Sequence, residues 1–398
     1  MLKSSYLYDI TTQLVAAETV SHQASAPALE LLGSHLQDFG FEVGLQRWAG
    51  GQKANLVAIA GPPEPGGLVL SGHVDVVPFE GQPGWSREPL ALGIEDRRLY
   101  GRGTTDMKGF LGQCLDAVRR LDPASLERPL VLLFTSDEEI GCLGGDRLAA
   151  ELPSLLGETP APRLAWIGEP TSWQVFHAHK GIAGFEVEAR GDGGHSSRPE
   201  EGVNAIGVAA RALVALGELQ EALRSEGASA AMQALFPDAP YATMNFGTIE
   251  GGTASNTIAE ACRFTVSYRP MPDDDPLGVY ERAKAALASL EARDFGAPHR
   301  AGSLEVKAPF VAPGALAERH TPLEEALFAE LAQDRSGGAP YCTDAGHLAR
   351  TGMSCLICGP GDLDRAHQPD ESVDRAAFEA GPDHILGVVR RLLGGRPR

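Results

Sequence analysis

The chain has 398 residues, 43% hydrophobic and 22% charged, which is enough for two domains that each bury a core. Its formal net charge of -19, from 34 basic and 53 acidic residues, argues against a nucleic-acid partner, which would need a basic footprint. No apolar run reaches membrane-spanning length, and the opening MLKSSYLYDITTQLVAAE alternates at helical spacing rather than forming a secretory signal, so a cytoplasmic protein with no membrane partner is expected. The first third alternates helical patterns at 6–17, 28–39 and 107–121 with short strands at 55–59, 68–73, 130–135 and 164–167. Continuous apolar strands between helices predict a largely parallel sheet covered on both faces. Near Lys180 the pattern changes. Residues 181–190 alternate like a half-exposed strand, and the Gly-rich turn GDGGHSS follows. A helix at 204–223, strands at 241–250 and 261–268 and a helix at 277–290 complete an α+β sandwich. A helix at 321–331, short segments at 340–342, 345–350 and 354–358, and a closing helix at 373–393 resume the first pattern. The expected fold is therefore α/β. A discontinuous metal-binding catalytic domain, 1–180 with 295–398, carries a mostly parallel sheet flanked by helices and is interrupted by an inserted α+β domain at 181–294.

Chemistry-bearing residues fall just after the strands or in the loops that follow them, where open parallel sheets bind ligands. They are His73 and Asp75 in LVLSGHVDVVP, Asp106 in YGRGTTDMKG, Glu138 and Glu139 in VLLFTSDEEIG, and Glu169 in LAWIGEPTS. A distant AHQPDES adds His367. Two imidazoles and several carboxylates suit a pair of divalent cations, which can make hydroxide available at neutral pH. Taken singly, each residue has an ordinary reading as well. His73 fits a strand-end turn, with Asp75 placed to orient its ring. Asp106 precedes a helix and fits an N-cap as well as a bridging ligand. Glu138 and Glu139 fit either an acidic helical turn or a division into ligand and general base. Glu169 is an acid at a strand end. His195 fits an exposed loop, and Arg269 fits a rim salt bridge or a two-pronged grip on a substrate carboxylate. His177 and His179 lie at the domain junction and read as structural or near-site residues, not ligands. His22, His35, His299, His320, His347 and His384 lack the strand-end setting. Cys355 and Cys358 form a C-x-x-C inside the apolar run GMSCLICGPG, with no second Cys pair to complete a zinc knuckle, and read as core cysteines.

The ordered set SGHVDVVP, YGRGTTDMKG, TSDEEIG, GEPTS, GHSS, YRPMP and AHQPDES resembles the dinuclear zinc deacylases and exopeptidases, a family that includes acetylornithine deacetylase, succinyl-diaminopimelate desuccinylase and carboxypeptidase G. The resemblance covers nearly the whole chain. AHKG, GHSSRPEEGVNAI, GGTASNTI, YCTDAGH and CGPGDLDRAHQPDE point to the acetylornithine deacetylase branch, from which the chain departs at His347 and Leu348. The resemblance implies two divalent ions, zinc with cobalt as an alternative. It implies Asp106 as the bridge, His73 and Glu169 completing one site, and Glu139 and His367 completing the other. Glu138 is implied as general base and Asp75 as the residue that orients His73. The insert is implied to be a ferredoxin-like lid and dimerisation domain of a homodimer. Its His195 steadies the oxyanion in the opposite subunit, and Asn256 and Arg269 line the substrate pocket. A cis Asp106–Met107 bond is also implied. The activity expected is removal of acetyl from N2-acetyl-L-ornithine in arginine biosynthesis. Alternatives are a related desuccinylase, dipeptidase or N-acetyl-citrulline deacetylase, or a catalytically silent binder of metal or amino acid.

Overall fold

A computed structural model describes residues 5–295 and 302–398; His299 lies outside them. The chain forms two compact units. The first comprises Met1–Ala178, Ala315–Gly338 and Thr343–Arg398, and the second His179–Gly314 with Ala339–Cys342.

In the first unit the strands Glu42–Trp48, Lys53–Ala60, Leu130–Thr135, Leu68–His73, Leu164–Ile167 and Ser354–Ile357 lie side by side in that order. The last four pair in parallel, and the first two form an antiparallel hairpin at the edge. The four parallel strands are mostly apolar because both of their faces are buried, and their residues alternate between two cores. Leu68, Leu70, Leu130, Leu132, Phe134, Trp166 and Leu356 pack into one core. There they meet the helices Ser5–Ala16, Ala26–Asp38, Lys108–Arg119, Pro322–Leu331 and Arg375–Leu393. Val69, Val131, Leu133, Ala165, Ile167 and Ile357 face the other, under Leu143–Leu155 and Ala345–Ala349. The C-x-x-C obeys the same alternation. Cys355 packs in the second core and Cys358 in the first, and both are free thiols. Burial pushes Cys355 up to about 12, so neither its charge state nor its position suits a ligand.

The second unit holds an antiparallel sheet in the order Thr243–Gly251, Ala261–Arg269, Ile182–Arg190, Ser303–Val306. Ala183, Phe185, Val187 and Ala189 alternate inward, as period-two patterning requires, and pack with Phe264, Val266 and Tyr268 beneath the helices Ala205–Ser225 and Gly278–Asp294. Asn204 caps the first of these helices through its side chain, which accepts from the N–H groups of Ile206 and Gly207. Strand–helix–strand–strand–helix–strand connectivity makes this unit ferredoxin-like. The unit runs on to Gly314, beyond residue 294, because Ser303–Val306 and Phe310–Ala312 both pair with Ile182–Arg190. These are edge strands of four and three residues, too short to show a period in a reading based on apolar periodicity. Among the described residues no helix is long and apolar enough to cross a membrane.

Candidate active site

Parallel strands deliver their carboxyl ends to one edge of the sheet, and the candidate residues follow from that. His73 is the last residue of Leu68–His73. Glu138 and Glu139 follow Leu130–Thr135, and Glu169 follows Leu164–Ile167. Asp106 precedes the helix Lys108–Arg119, and the Asp106–Met107 bond is cis. Asp106 is not the helix cap that its local sequence allows. Met107 holds the N-cap position and no side chain caps it. The acidic-turn reading of Glu138 and Glu139 fails in the same way, since the next helix begins at Leu143 behind Cys142.

What draws the Asp106 carboxylate is a pair of imidazoles. Its Oδ1 lies 3.0 Å from His73 Nε2 and its Oδ2 3.2 Å from His367 Nε2. His367 in turn lies 3.0 Å from Glu139 Oε2. On the other flank, His73 Nε2 is 3.8 Å from Glu169 Oε1 and 3.9 Å from Glu138 Oε2. Asp75 holds this arrangement from behind. His73 Nδ1 is 3.0 Å from the Asp75 carbonyl oxygen and 3.5 Å from its carboxylate, which orients the ring. The same carboxylate accepts from Ser21 Oγ at 2.7 Å and from the backbone N–H groups of Glu138 and Glu139 at 3.1 and 3.3 Å. One buried aspartate therefore fixes both the imidazole and the paired glutamates.

The electrostatics indicate what kind of group the cluster suits. Burial and the nearby Glu169 push Glu138 well above the usual carboxylate range. Burial and Asp106 push Glu139 up to about 7, and the same two causes raise Glu169 strongly. Burial opposes protonation of His367, yet hydrogen bonds to Asp106 and Glu139 outweigh it and raise the ring to about 10. His73 is raised in the same sense, against burial, by Asp106 and Asp75. Burial would raise Asp106 too, but the hydrogen bonds from His367 and His73 hold it well below the usual range. Three glutamates and both imidazoles are thus driven toward protonation, as expected of a cluster short of positive charge. Divalent cations would supply that charge, and imidazole with carboxylate oxygen is a donor set that such ions take. Two groupings, His73–Asp106–Glu139 and His73–Glu138–Glu169, have ligand atoms that all lie within 4.8 Å of one another. The residues present therefore fit a metal centre.

Three supporting residues escape a reading based on strand-end acids. Ser21 lies far upstream in the sequence and carries no local mark of its role. Asp344, in YCTDAGH, is buried, accepts from Thr135 Oγ1 at 2.5 Å and adds to the charge raising Glu138 and Glu169. Glu371, in AHQPDES, accepts the backbone N–H groups of Thr105 and Asp106 at 2.9 and 3.1 Å.

His195, Asn256 and Arg269 belong to the second unit. His195 sits in the short strand Gly194–His195, opposite Thr257, and Ser196 N–H donates to the Asn256 carbonyl at 3.1 Å. His195 is exposed, with its Nδ1 engaged by Ser197 N–H at 3.1 Å and Ser197 Oγ at 2.8 Å, which leaves Nε2 as its outward atom. Arg269 ends the strand Ala261–Arg269 and is half-buried. His347, where the chain departs from the acetylornithine deacetylase branch, is buried in the first unit with Nδ1 3.2 Å from Asp146.

A family profile described as peptidase family M20/M25/M40 matches residues 69–391. Acetylornithine deacetylase from Yersinia pseudotuberculosis serotype O:1b is 35% identical over 384 residues, covering 95% of this chain and 94% of that protein. Acetylornithine deacetylase from Salmonella arizonae is 36% identical over 383 residues, covering 96% and 95%. Among solved structures, an M20 family metallo-carboxypeptidase from Sulfolobus solfataricus superposes with a TM-score of 0.78 at 18% identity, covering 98% of this chain and 99% of that one.

Proposed function

Since the chain belongs to peptidase family M20/M25/M40 and is a metal-dependent hydrolase, we propose that it removes the acetyl group from N2-acetyl-L-ornithine, giving L-ornithine and acetate. The observation that carries the catalytic half of this reading is the division of Asp106 between two imidazoles, with Glu138 set beside one of them. The substrate half rests on the acetylornithine deacetylases that align over nearly the whole chain.

His73, Asp106 and Glu169 would hold one zinc ion, and Asp106, Glu139 and His367 a second. Cobalt is the natural substitute at sites of this kind. When bound, the ions supply Lewis acidity at the amide carbonyl and lower the pKa of water to ~7. The chain does the rest. Glu138 takes a proton as water oxygen bonds to the acyl carbon, then gives it to the amine as the C–N bond breaks. Asp75 keeps His73 in one tautomer and holds the Glu138 backbone, so the base does not wander. His195 donates to the oxyanion from the opposite subunit of a homodimer, through its outward Nε2. Asn256 lines the substrate pocket, and Arg269 grips the α-carboxylate of the amino acid in a two-pronged hydrogen bond. The buried thiols of Cys114, Cys262, Cys355 and Cys358 accord with a reducing compartment, so we place the enzyme in the cytoplasm; cell fractionation tests this.

The test of the whole reading is a kinetic panel of acetyl-ornithine, acetyl-citrulline, succinyl-diaminopimelate and a dipeptide. Acetyl-ornithine is expected to give the highest kcat/KM, with activity abolished by chelation and restored by stepwise return of zinc. A preference for another member moves the substrate assignment, and stoichiometric binding without amide cleavage ends it. The subunit-crossing histidine has its own check. Inactive His195→Ala and Glu138→Gln proteins, mixed and reassembled, should regain activity, because one site of each mixed dimer receives both residues. Mixtures that stay dead would place His195 and Glu138 in service of the same subunit's site or of none.

A further inference from the structure

Arg102 and Glu371 are fully buried charged residues that the chemistry above does not use, and their partners lead to two of the candidate metal ligands. Arg102 Nη1 donates to Glu371 Oε2 at 2.8 Å. The other oxygen of that carboxylate accepts the N–H groups of Thr105 and Asp106. Arg102 Nη2 donates to Gln82 Oε1 at 2.7 Å. Guanidinium has only donors, so Gln82 must turn its oxygen inward. Trp85 Nε1 donates to that same oxygen at 3.0 Å, and the Trp85 ring lies 5.0 Å beneath the guanidinium. The Gln82 amide nitrogen therefore points outward, where it donates to the His367 carbonyl at 2.8 Å. His367 needs such a hold, since its backbone sits in the left-handed region at φ 61° and its side chain is 48% exposed.

We propose that Arg102 is a positioning residue that sets the spacing of Asp106 and His367, gripping the Asp106 loop through Glu371 and the His367 loop through Gln82. A planar fork can hold two acceptors in fixed directions at once, which an ammonium cannot. The two arms are unequal in consequence. Asp106 is held by many contacts, whereas His367 sits on an exposed loop whose hold at His367 itself is the Gln82 amide; Arg102 Nη1 reaches the next carbonyl, of Gln368, at a longer 3.5 Å, and Ser86 ties Asp370 further along. Loss of the Gln82 arm thus weakens the ion bound by His367 and spares the ion bound by His73. The proposal rests on the dinuclear reading above.

The test is a titration of metal-free protein with cobalt alone, followed by its visible d–d absorption, on wild type, Gln82→Ala, Gln82→Glu and Arg102→Lys. Wild type is expected to bind two ions in resolvable steps. Gln82→Ala should bind the first as wild type does and the second roughly 10–100-fold more weakly, the usual cost of losing a support behind a ligand. Excess cobalt should restore its kcat. Arg102→Lys should show the same selective loss. Gln82→Glu, which keeps the acceptor for Arg102 but has no amide N–H for His367, should follow Gln82→Ala. Gln82 is half-buried in a loop, so its variants keep the inference testable even where Arg102→Lys fails to fold. Two ions bound by Gln82→Ala with wild-type affinities overturn the proposal alone. Fewer than two ions bound by wild type overturn the dinuclear reading, and the proposal with it.

Discussion

Glu138→Gln is expected to keep both metal ions and to lose about 10²–10⁴-fold in kcat, the usual contribution of a positioned general base. The substitution is nearly isosteric, and the residue is 8% exposed with its backbone N–H tied to Asp75, so the loop has no reason to move. What changes is the ability to accept a proton. Glutamine leaves KM largely intact and removes an interaction made only as the water is activated, so kcat and kcat/KM should fall together. Kinetics run alongside metal analysis of the dialysed protein decide the matter. Glu138 lies 3.9 Å from His73 and shares a potential metal grouping with Glu169, so a ligand role is the competing account. Loss of one equivalent of metal along with the activity would move Glu138 into the ligand set.

Asp106→Ala should release both ions and take activity down by roughly three orders of magnitude or more, since several kcal/mol of Lewis-acid assistance are forfeited at 1.36 kcal/mol per tenfold. No other carboxylate among the described residues is hydrogen-bonded to both His73 and His367. Fold should survive, because the Asp106 side chain caps no helix and its backbone N–H is held independently by Glu371. Circular dichroism is the control, and metal content after dialysis is the readout. Retention of one tightly bound ion would show that Asp106 serves a single site. The bridging role proposed here would then be wrong even if hydrolysis by a mononuclear centre continued.

Much of the first unit was legible in the sequence for one physical reason. A parallel strand buried on both faces must be apolar throughout, and it stops being apolar where it meets a polar site. The predicted strands 68–73, 130–135 and 164–167 are accordingly the observed Leu68–His73, Leu130–Thr135 and Leu164–Ile167. Elements with one wet face were harder to read. Glu42–Trp48 alternates with exposed residues and goes unnoticed, and the edge strands Ser303–Val306 and Phe310–Ala312 shift the end of the insert. Asp106 shows the limit at a single residue. Its neighbours suit a helix cap, and only the convergence of His73 and His367 shows why the side chain turns elsewhere.

The order of the motifs along the chain was enough to indicate the family and the kind of chemistry, because ligand types and strand ends are local properties that one dimension records. Tertiary structure alone decided which carboxylate faces which imidazole. It also decided that Asp75, whose spacing already marks it as the partner of His73, braces the glutamate pair as well, and that Arg102 and Glu371 stand behind Asp106. Those partners are separated by up to 269 residues, and a hydrogen bond between them leaves no periodicity or spacing to read. Burial makes the contacts consequential, since charged groups removed from water must find one another, and where they do so is a property of the folded chain.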